Sequence, residues 1–381
     1  MQVDFEAFRA EFPTLRHKTY LNSGSYGLLS RSVEAAFRRY LDDRLERGVD
    51  WGGWLGQTEA VREGMAGLLN ARPDEIAVTT SASAGINSLA SAFDFSGSRN
   101  GVVVSNFEFP TSSQIWHAQA PRGAVVEHVA EGPDGYIPLE HFERLIDERT
   151  KLVAIAQVCY RNGARLDVEG IVRLAHAKGA LVLLDCFQAV GALKVDVGAL
   201  GVDFAVGGML KYLLGTAGVG FLYVRADHVA SLTPTASGWF AQADTEAMDI
   251  FANAPAPTAA RFQAGTPPVA NCHAAAAGIA LIRETGIEAI EARILGLTGV
   301  AMDRMAEAGF KLATPREDGR RGPQLAIRCK DDNALVARLA ERGIVASCRD
   351  GNLRAMFHAY NNETDVDALM AGLLAHRDLL A

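Results

Sequence analysis

From Ile76 to Val224 the chain alternates short apolar runs with stretches of helical spacing, and the apolar runs carry no polar face. The runs read as strands over Ile76–Thr80, Gly101–Ser105, Ala124–His128, Leu152–Val158, Ala180–Leu184, Phe204–Val206 and Val219–Val224. Helices are expected between them at Ala84–Phe93, Ser113–Gln119, Leu139–Glu148 and Val168–Lys178. Strands that are apolar on both sides have to be covered on both sides, which a mostly parallel sheet wrapped by helices achieves. The expectation is therefore an α/β chain with a large, mostly parallel, seven-stranded sheet. Sheets of this kind bind ligands at the carboxyl ends of their strands.

The flanks read differently. Residues 5–16 suggest a short helix and turn, and Lys18–Asn22 an extended piece running into a Ser/Gly turn at Ser23–Gly27. Helices are expected at Ser32–Arg47 and Gln57–Asn70. Residues 232–260 form a long excursion holding Trp239 and Phe240. A continuous helical region is expected from Val269 to Ala308, followed by a smaller α+β segment over 310–381. The organisation expected is a large α/β domain over 20–260, with residues 1–19 joining 261–381 in a second, smaller unit.

Charge and cysteine content narrow the function. Lys and Arg number 37 against 45 Asp and Glu, a net charge of −8, which disfavours nucleic acid or an anionic membrane as partner. No apolar run approaches the roughly 18–20 residues that span a bilayer. The N-terminus, Met1-Gln2-Val3-Asp4-Phe5-Glu6, lacks the basic and apolar pattern of a signal peptide. The five cysteines are scattered without a CxxC, so neither a disulfide framework nor a metal site is indicated, and a reducing cytoplasm is the expected setting.

Two residues carry the chemistry. Asp185 ends the apolar run Leu181-Val182-Leu183-Leu184, and Lys211 follows the run Phe204-Ala205-Val206 in a glycine-rich loop. Taken alone, one reads as a loop or cap residue and the other as a surface lysine. Together, an acid and a desolvated lysine at neighbouring strand ends are what an enzyme needs to hold pyridoxal 5′-phosphate as a Schiff base. The segment Thr79–Asn87 joins a strand to a helix through small hydroxylated residues, and a helix N-terminus there suits a phosphate or carries a plain serine cap. Arg354 offers a guanidinium suited to a carboxylate or to a structural ion pair.

In order along the chain, these segments resemble the class V aminotransferase family of fold-type I pyridoxal-phosphate enzymes, from about Tyr20 to Ala368. The family includes cysteine desulfurases, kynureninases and epimerase-like members. The resemblance implies Lys211 as the Schiff-base lysine and base, Asp185 as partner of the pyridine nitrogen, and Gln188 as contact to the ring oxygen. It implies Ala82 and Ser83 as the phosphate loop, Phe109 as the ring-stacking residue, and Arg354 as the carboxylate-binding arginine, with Asn22 and Trp239 as further substrate contacts. Thr266, in Arg261–Pro268, is similar to a threonine that reaches the phosphate of a neighbouring subunit, which implies a homodimer with shared sites.

The chain also departs from the family pattern. Gly208 and Leu210 stand where relatives often have Ser and His or Tyr, so Tyr212 or Thr266 is expected to compensate in holding phosphate. The connection around Cys348 is too short for the mobile cysteine loop of desulfurases. Asn162, in Tyr160–Gly163, lies in an atypical turn. The reaction expected is proton removal from Cα of a free amino acid, leaning to kynureninase-like or C–S lyase chemistry. Transamination, epimerisation, desulfuration and a non-catalytic binding role remain as alternatives.

Overall fold

The computed structural model describes residues 3–381. After a short helix, Phe5–Ala10, strand β1 (Thr19–Tyr20) leads through the Ser/Gly turn into two long helices, Arg31–Arg47 and Trp51–Leu69. Ser30 and Asp50 cap these helices by accepting from the amides of Val33 and Gly53.

The main sheet is built from β2 (Ile76–Thr79), β3 (Gly101–Ser105), β4 (Val125–Val129), β5 (Thr150–Ala156), β6 (Leu181–Asp185), β7 (Phe204–Gly208) and β8 (Gly220–Val224). Its spatial order is β2-β8-β7-β6-β5-β3-β4. Strand β8 runs antiparallel to both β7 and β2, and every other neighbouring pair is parallel. Both faces of the central strands are buried, as the apolar runs require, while the edge strand β4 is partly exposed. Val103, Val153, Val182 and Ala205 pack into one core, while Val102, Leu152, Leu183 and Phe204 pack into the other. The carboxyl ends of β2, β3, β5, β6 and β7 therefore point the same way, and the loops that leave them converge.

The remaining strands lie outside this sheet. β9 (Gln324–Arg328), β11 (Ser347–Arg349) and β12 (Asn352–Met356) form a three-stranded antiparallel sheet in the order β11-β12-β9, while β10 (Ile344–Val345) pairs in parallel with β1. The N-terminal segment is thus stitched to the C-terminal one. Asn22, two residues past β1, bridges to Met356.

Two expectations need correction. The single helical region from Val269 to Ala308 is two helices, Val269–Thr285 and Ile287–Glu307, broken at Gly286. Gly286 has φ of 89°, a left-handed setting through which a right-handed helix cannot continue. The helix expected from Ser113 begins earlier, at Pro110, with Phe109 as its cap. Proline suits the first helical position because the amide it lacks would have no acceptor there. This start fixes Phe109 at the loop–helix junction. Among the described residues no helix is long and apolar enough to cross a membrane.

Candidate active site

The carboxyl ends of the parallel strands surround a cavity of about 290 Å³. Ala82, Ser83, Phe109, Asp185, Gln188 and Lys211 all line it. They come from four loops far apart in sequence, brought together because parallel neighbours present the same end.

Asp185 is the last residue of β6, flanked in register by Ala156 of β5 and Val206 of β7. Its Oδ1 accepts from the Phe187 N–H at 2.8 Å, and no described residue forms an ion pair with it. Burial raises its pKa, opposed by the Phe187 amide and by the Lys211 charge. Asp203, at the opposite end of the sheet, shows what a structural buried acid looks like. It is held by His176 at 2.9 Å, His228 at 2.7 Å, Arg225 at 2.9 Å and the Val182 amide at 2.7 Å. Burial works to raise its pKa, yet the His228, His176 and Val182 bonds keep it below the usual value. Asp185 has no such satisfaction, so its charge is available to something that enters the cavity.

Lys211 follows β7, and its Nζ lies 4.2 Å from the centre of the Phe187 ring and 5.9 Å from that of Phe109. Burial lowers the ammonium pKa to about 8; Arg354 pushes the same way and Asp185 pushes back. A lysine in this state is a usable nucleophile and base near neutral pH. The glycine at 208 has a local reason, since a Cβ there would lie 2.6 Å from the Phe187 ring. Phe187 thus takes the room that a serine at 208 would have used.

The cavity wall opposite is the start of the helix Ala82–Ser91. Ser81 caps it by accepting from the Ala84 amide at 3.0 Å, so the cap is Ser81 and the Ser83 hydroxyl is left free of that task. The first amides of a helix have no acceptor within it, and they carry the positive end of its dipole. Gln188 is buried and lends one N–H to the Gly24 carbonyl at 3.1 Å.

Arg354 does not line this cavity. It stands behind Tyr160, donating to the Tyr160 carbonyl at 2.8 Å and the Ser347 hydroxyl at 2.9 Å. It is buried, its Nε has no partner, and no carboxylate pairs with it among the described residues. Tyr160 does line the cavity and meets Phe109 edge-on at 5.2 Å, so the arginine stands one residue behind the cavity wall. Asn22 also stays off the wall, with its Oδ1 buried and unpartnered.

Thr266 and Trp239 lie elsewhere. Thr266 is exposed on a second cavity of about 300 Å³ with Arg62, Ser88 and Gln263. Trp239 packs against Phe240 and Trp51, and its indole N–H donates to Thr245 O at 2.6 Å. Cys348 sits in β11 opposite Leu353 with its thiol toward Asn333, its pKa raised by burial. Asn162 closes its own turn, accepting from Ala164 N and donating to Gly135 O.

Sequence reasoning passed over Phe187, which lines the cavity, and Glu108, whose neighbours Phe107 and Phe109 line it. Phe187 lies between Asp185 and Gln188, and Gly208 was the trace of the space its ring needs. Glu108 precedes Phe109 and is buried, with Oε2 unpartnered. An acid in the otherwise apolar run Phe107-Glu108-Phe109 was its signal.

The family model for class-V aminotransferases matches residues 54–369. An uncharacterized aminotransferase of Bacillus subtilis is 33% identical, over 95% of this chain and 95% of its own. A kynureninase of Deinococcus radiodurans is 33% identical over 98% of this chain and 93% of its own. Among solved structures, a cysteine desulfurase of Thermococcus onnurineus superimposes with a TM-score of 0.87 at 23% identity, covering 100% of this chain and 98% of the other. The fold expected from the sequence is the fold observed.

Proposed function

The chain belongs to the class-V aminotransferase family of pyridoxal-phosphate-dependent enzymes, and from that premise we propose that it removes the α-proton of a free amino acid and continues to lyase chemistry of the kynureninase or C–S lyase type. The residues around the cavity fit the cofactor. Lys211 offers a buried amine free of hydrogen bonds and ion pairs among the described residues, Asp185 an unpaired carboxylate, and the Ala82–Ser91 helix an open N-terminus. When bound, pyridoxal phosphate supplies an electron sink for charge that develops at the substrate α-carbon.

The protein's own part follows from the positions of its groups. The helix start at Ala82 and Ser83 would bind the phosphate through its amides and hydroxyl. Asp185 would hold the proton on the ring nitrogen, and Gln188 would donate to the ring oxygen. Phe109 would cover the ring, and Lys211 would take the proton from Cα. The observation that carries the substrate assignment is Arg354, a buried guanidinium without a carboxylate partner, set behind Tyr160 of the cavity wall and close enough to lower the Lys211 pKa. A charge of this kind is costly to bury unless an anion joins it, and an α-carboxylate is such an anion. Asn22 and Trp239 would be outlying substrate contacts. Thr266, exposed and apart from the lysine cavity, fits a role in a partner subunit's site within a homodimer.

The place and state of Cys348 support lyase over persulfide chemistry, since its thiol is turned to Asn333 and its pKa is raised. A second reading, transfer of the amino group to a keto acid, is supported by the relative named as an aminotransferase. An amino-acid panel with product analysis separates the two. Alanine or pyruvate with a released side-chain fragment supports the lyase. A keto acid, with the cofactor left in its amine form, supports the transferase and removes the lyase.

Arg354→Ala is expected to weaken amino-acid binding by about 10²-fold, the scale of truncating one partner of a buried charge pair. It should also raise the Lys211 pKa above about 8, because Arg354 lowers it. Substrate titration of the cofactor-loaded variant reads the first effect, and unchanged affinity would remove Arg354 from the substrate site.

A further inference from the structure

We propose that Glu108 is the proton-holding partner of Asp185, a positioning residue that stays a neutral acid so that a single anion faces the ring nitrogen of the cofactor. The proposal rests on the cofactor reading above and concerns the same site.

Glu108 follows β3 in a tight turn, its amide donating to Ser105 O at 3.1 Å. The side chain is 6% exposed. Oε1 accepts from the Ser105 hydroxyl at 3.1 Å, while Oε2 has no partner. The Ser112 hydroxyl and the Ala156 amide lie beside the carboxyl, and Ala156 stands opposite Asp185 in the β5–β6 register. No cation pairs with Glu108 among the described residues. Two buried carboxylates so placed cannot both ionise cheaply.

The surroundings decide which acid keeps the proton. Asp185 is the titratable group that faces Glu108; Asp185 in turn faces Lys211 and Cys186, and Lys211 faces Arg354. Asp185 has the lysine charge and the Phe187 amide on its side, whereas Glu108 has the Ser112 and Ser105 hydroxyls and the Ala156 amide but no cation. Burial, then Asp185, raises the Glu108 pKa to about 8. Below that pH its unpartnered Oε2 can carry a hydrogen. Above it, Glu108 gives that proton to solvent, and a second negative charge arrives beside Asp185.

Infrared spectroscopy of the full-length protein, with and without pyridoxal phosphate, tests this. In the cofactor-free protein a carboxylic-acid carbonyl band should be present at pH 7, fade with a midpoint near 8, and be missing in Glu108→Gln. In Asp185→Asn the midpoint should fall, because the charge that raises it is gone. A buried glutamate out of electrostatic reach of Asp185 would not respond to its removal. In the loaded protein, the visible band of the cofactor should change with pH near 8 in wild type and lose that change in Glu108→Gln. An ionised Glu108 at pH 7, or a midpoint indifferent to Asp185→Asn, overturns the proposal. Should Glu108→Gln fail to fold, the Asp185→Asn shift still decides it on the native glutamate. A protein that takes up no cofactor overturns the cofactor reading instead, and the infrared midpoints still decide the carboxyl pair.

Discussion

Lys211→Ala is expected to lose the covalently held form of the cofactor and its visible band, and to lower turnover by at least the roughly 10²–10⁴-fold that a general base contributes. The fold should survive, because the Lys211 amine makes no hydrogen bond or ion pair with described residues, while the one bond of its backbone, from the Leu214 amide, is kept in alanine. Wild type should show a further sign of the same amine. Only the unprotonated form attacks a carbonyl, and burial has lowered the pKa to about 8. Uptake of pyridoxal phosphate by cofactor-free protein should therefore speed up as pH rises from 6 to 9, with a midpoint near 8. A midpoint close to the ordinary lysine value would mean that the amine is not desolvated in solution.

Asp185→Asn is the second large effect. It keeps the shape and the contact to the Phe187 amide, and it removes the charge that would hold a proton on the ring nitrogen. Loss of a preorganised electrostatic partner of this kind costs about 10²–10³-fold in rate. The variant should still take up cofactor, so rate and binding separate. The Lys211 midpoint should move below 8, because Asp185 is the group that raises it. Asparagine at 185 with full activity would show that the carboxylate does not act on the ring. A midpoint shift in the opposite direction would show that Asp185 and Lys211 are not electrostatic neighbours.

The gathering of Asp185 and Lys211 at one cavity was legible in the chain for a physical reason, and the family resemblance added Ser83, Phe109 and Gln188, which line the same cavity. Each follows an apolar strand run, and in a parallel sheet all such positions share one edge. The bend at Gly286 was harder to anticipate, because both flanking segments have helical spacing and only one φ value separates them. Arg354 was recognisable as a residue type, but its place behind Tyr160 depends on β12 being brought beside the loop that follows β5. Trp239 looked like a pocket aromatic and instead packs on Trp51, since the direction of a side chain in a long excursion is set by tertiary contacts. Glu108 and Phe187 were hidden for the same reason. Both sit in turns just past strand ends, where neither the two-residue nor the 3.6-residue period says which way a side chain points.

The central claim is that the amine of Lys211 is the one that holds the cofactor. Borohydride reduction of protein saturated with pyridoxal phosphate, followed by proteolysis and mass spectrometry, tests it directly. The account predicts a single pyridoxyl group on the peptide that contains Lys211. A label spread over other lysines with Lys211 unmodified, or no label at all, would contradict it.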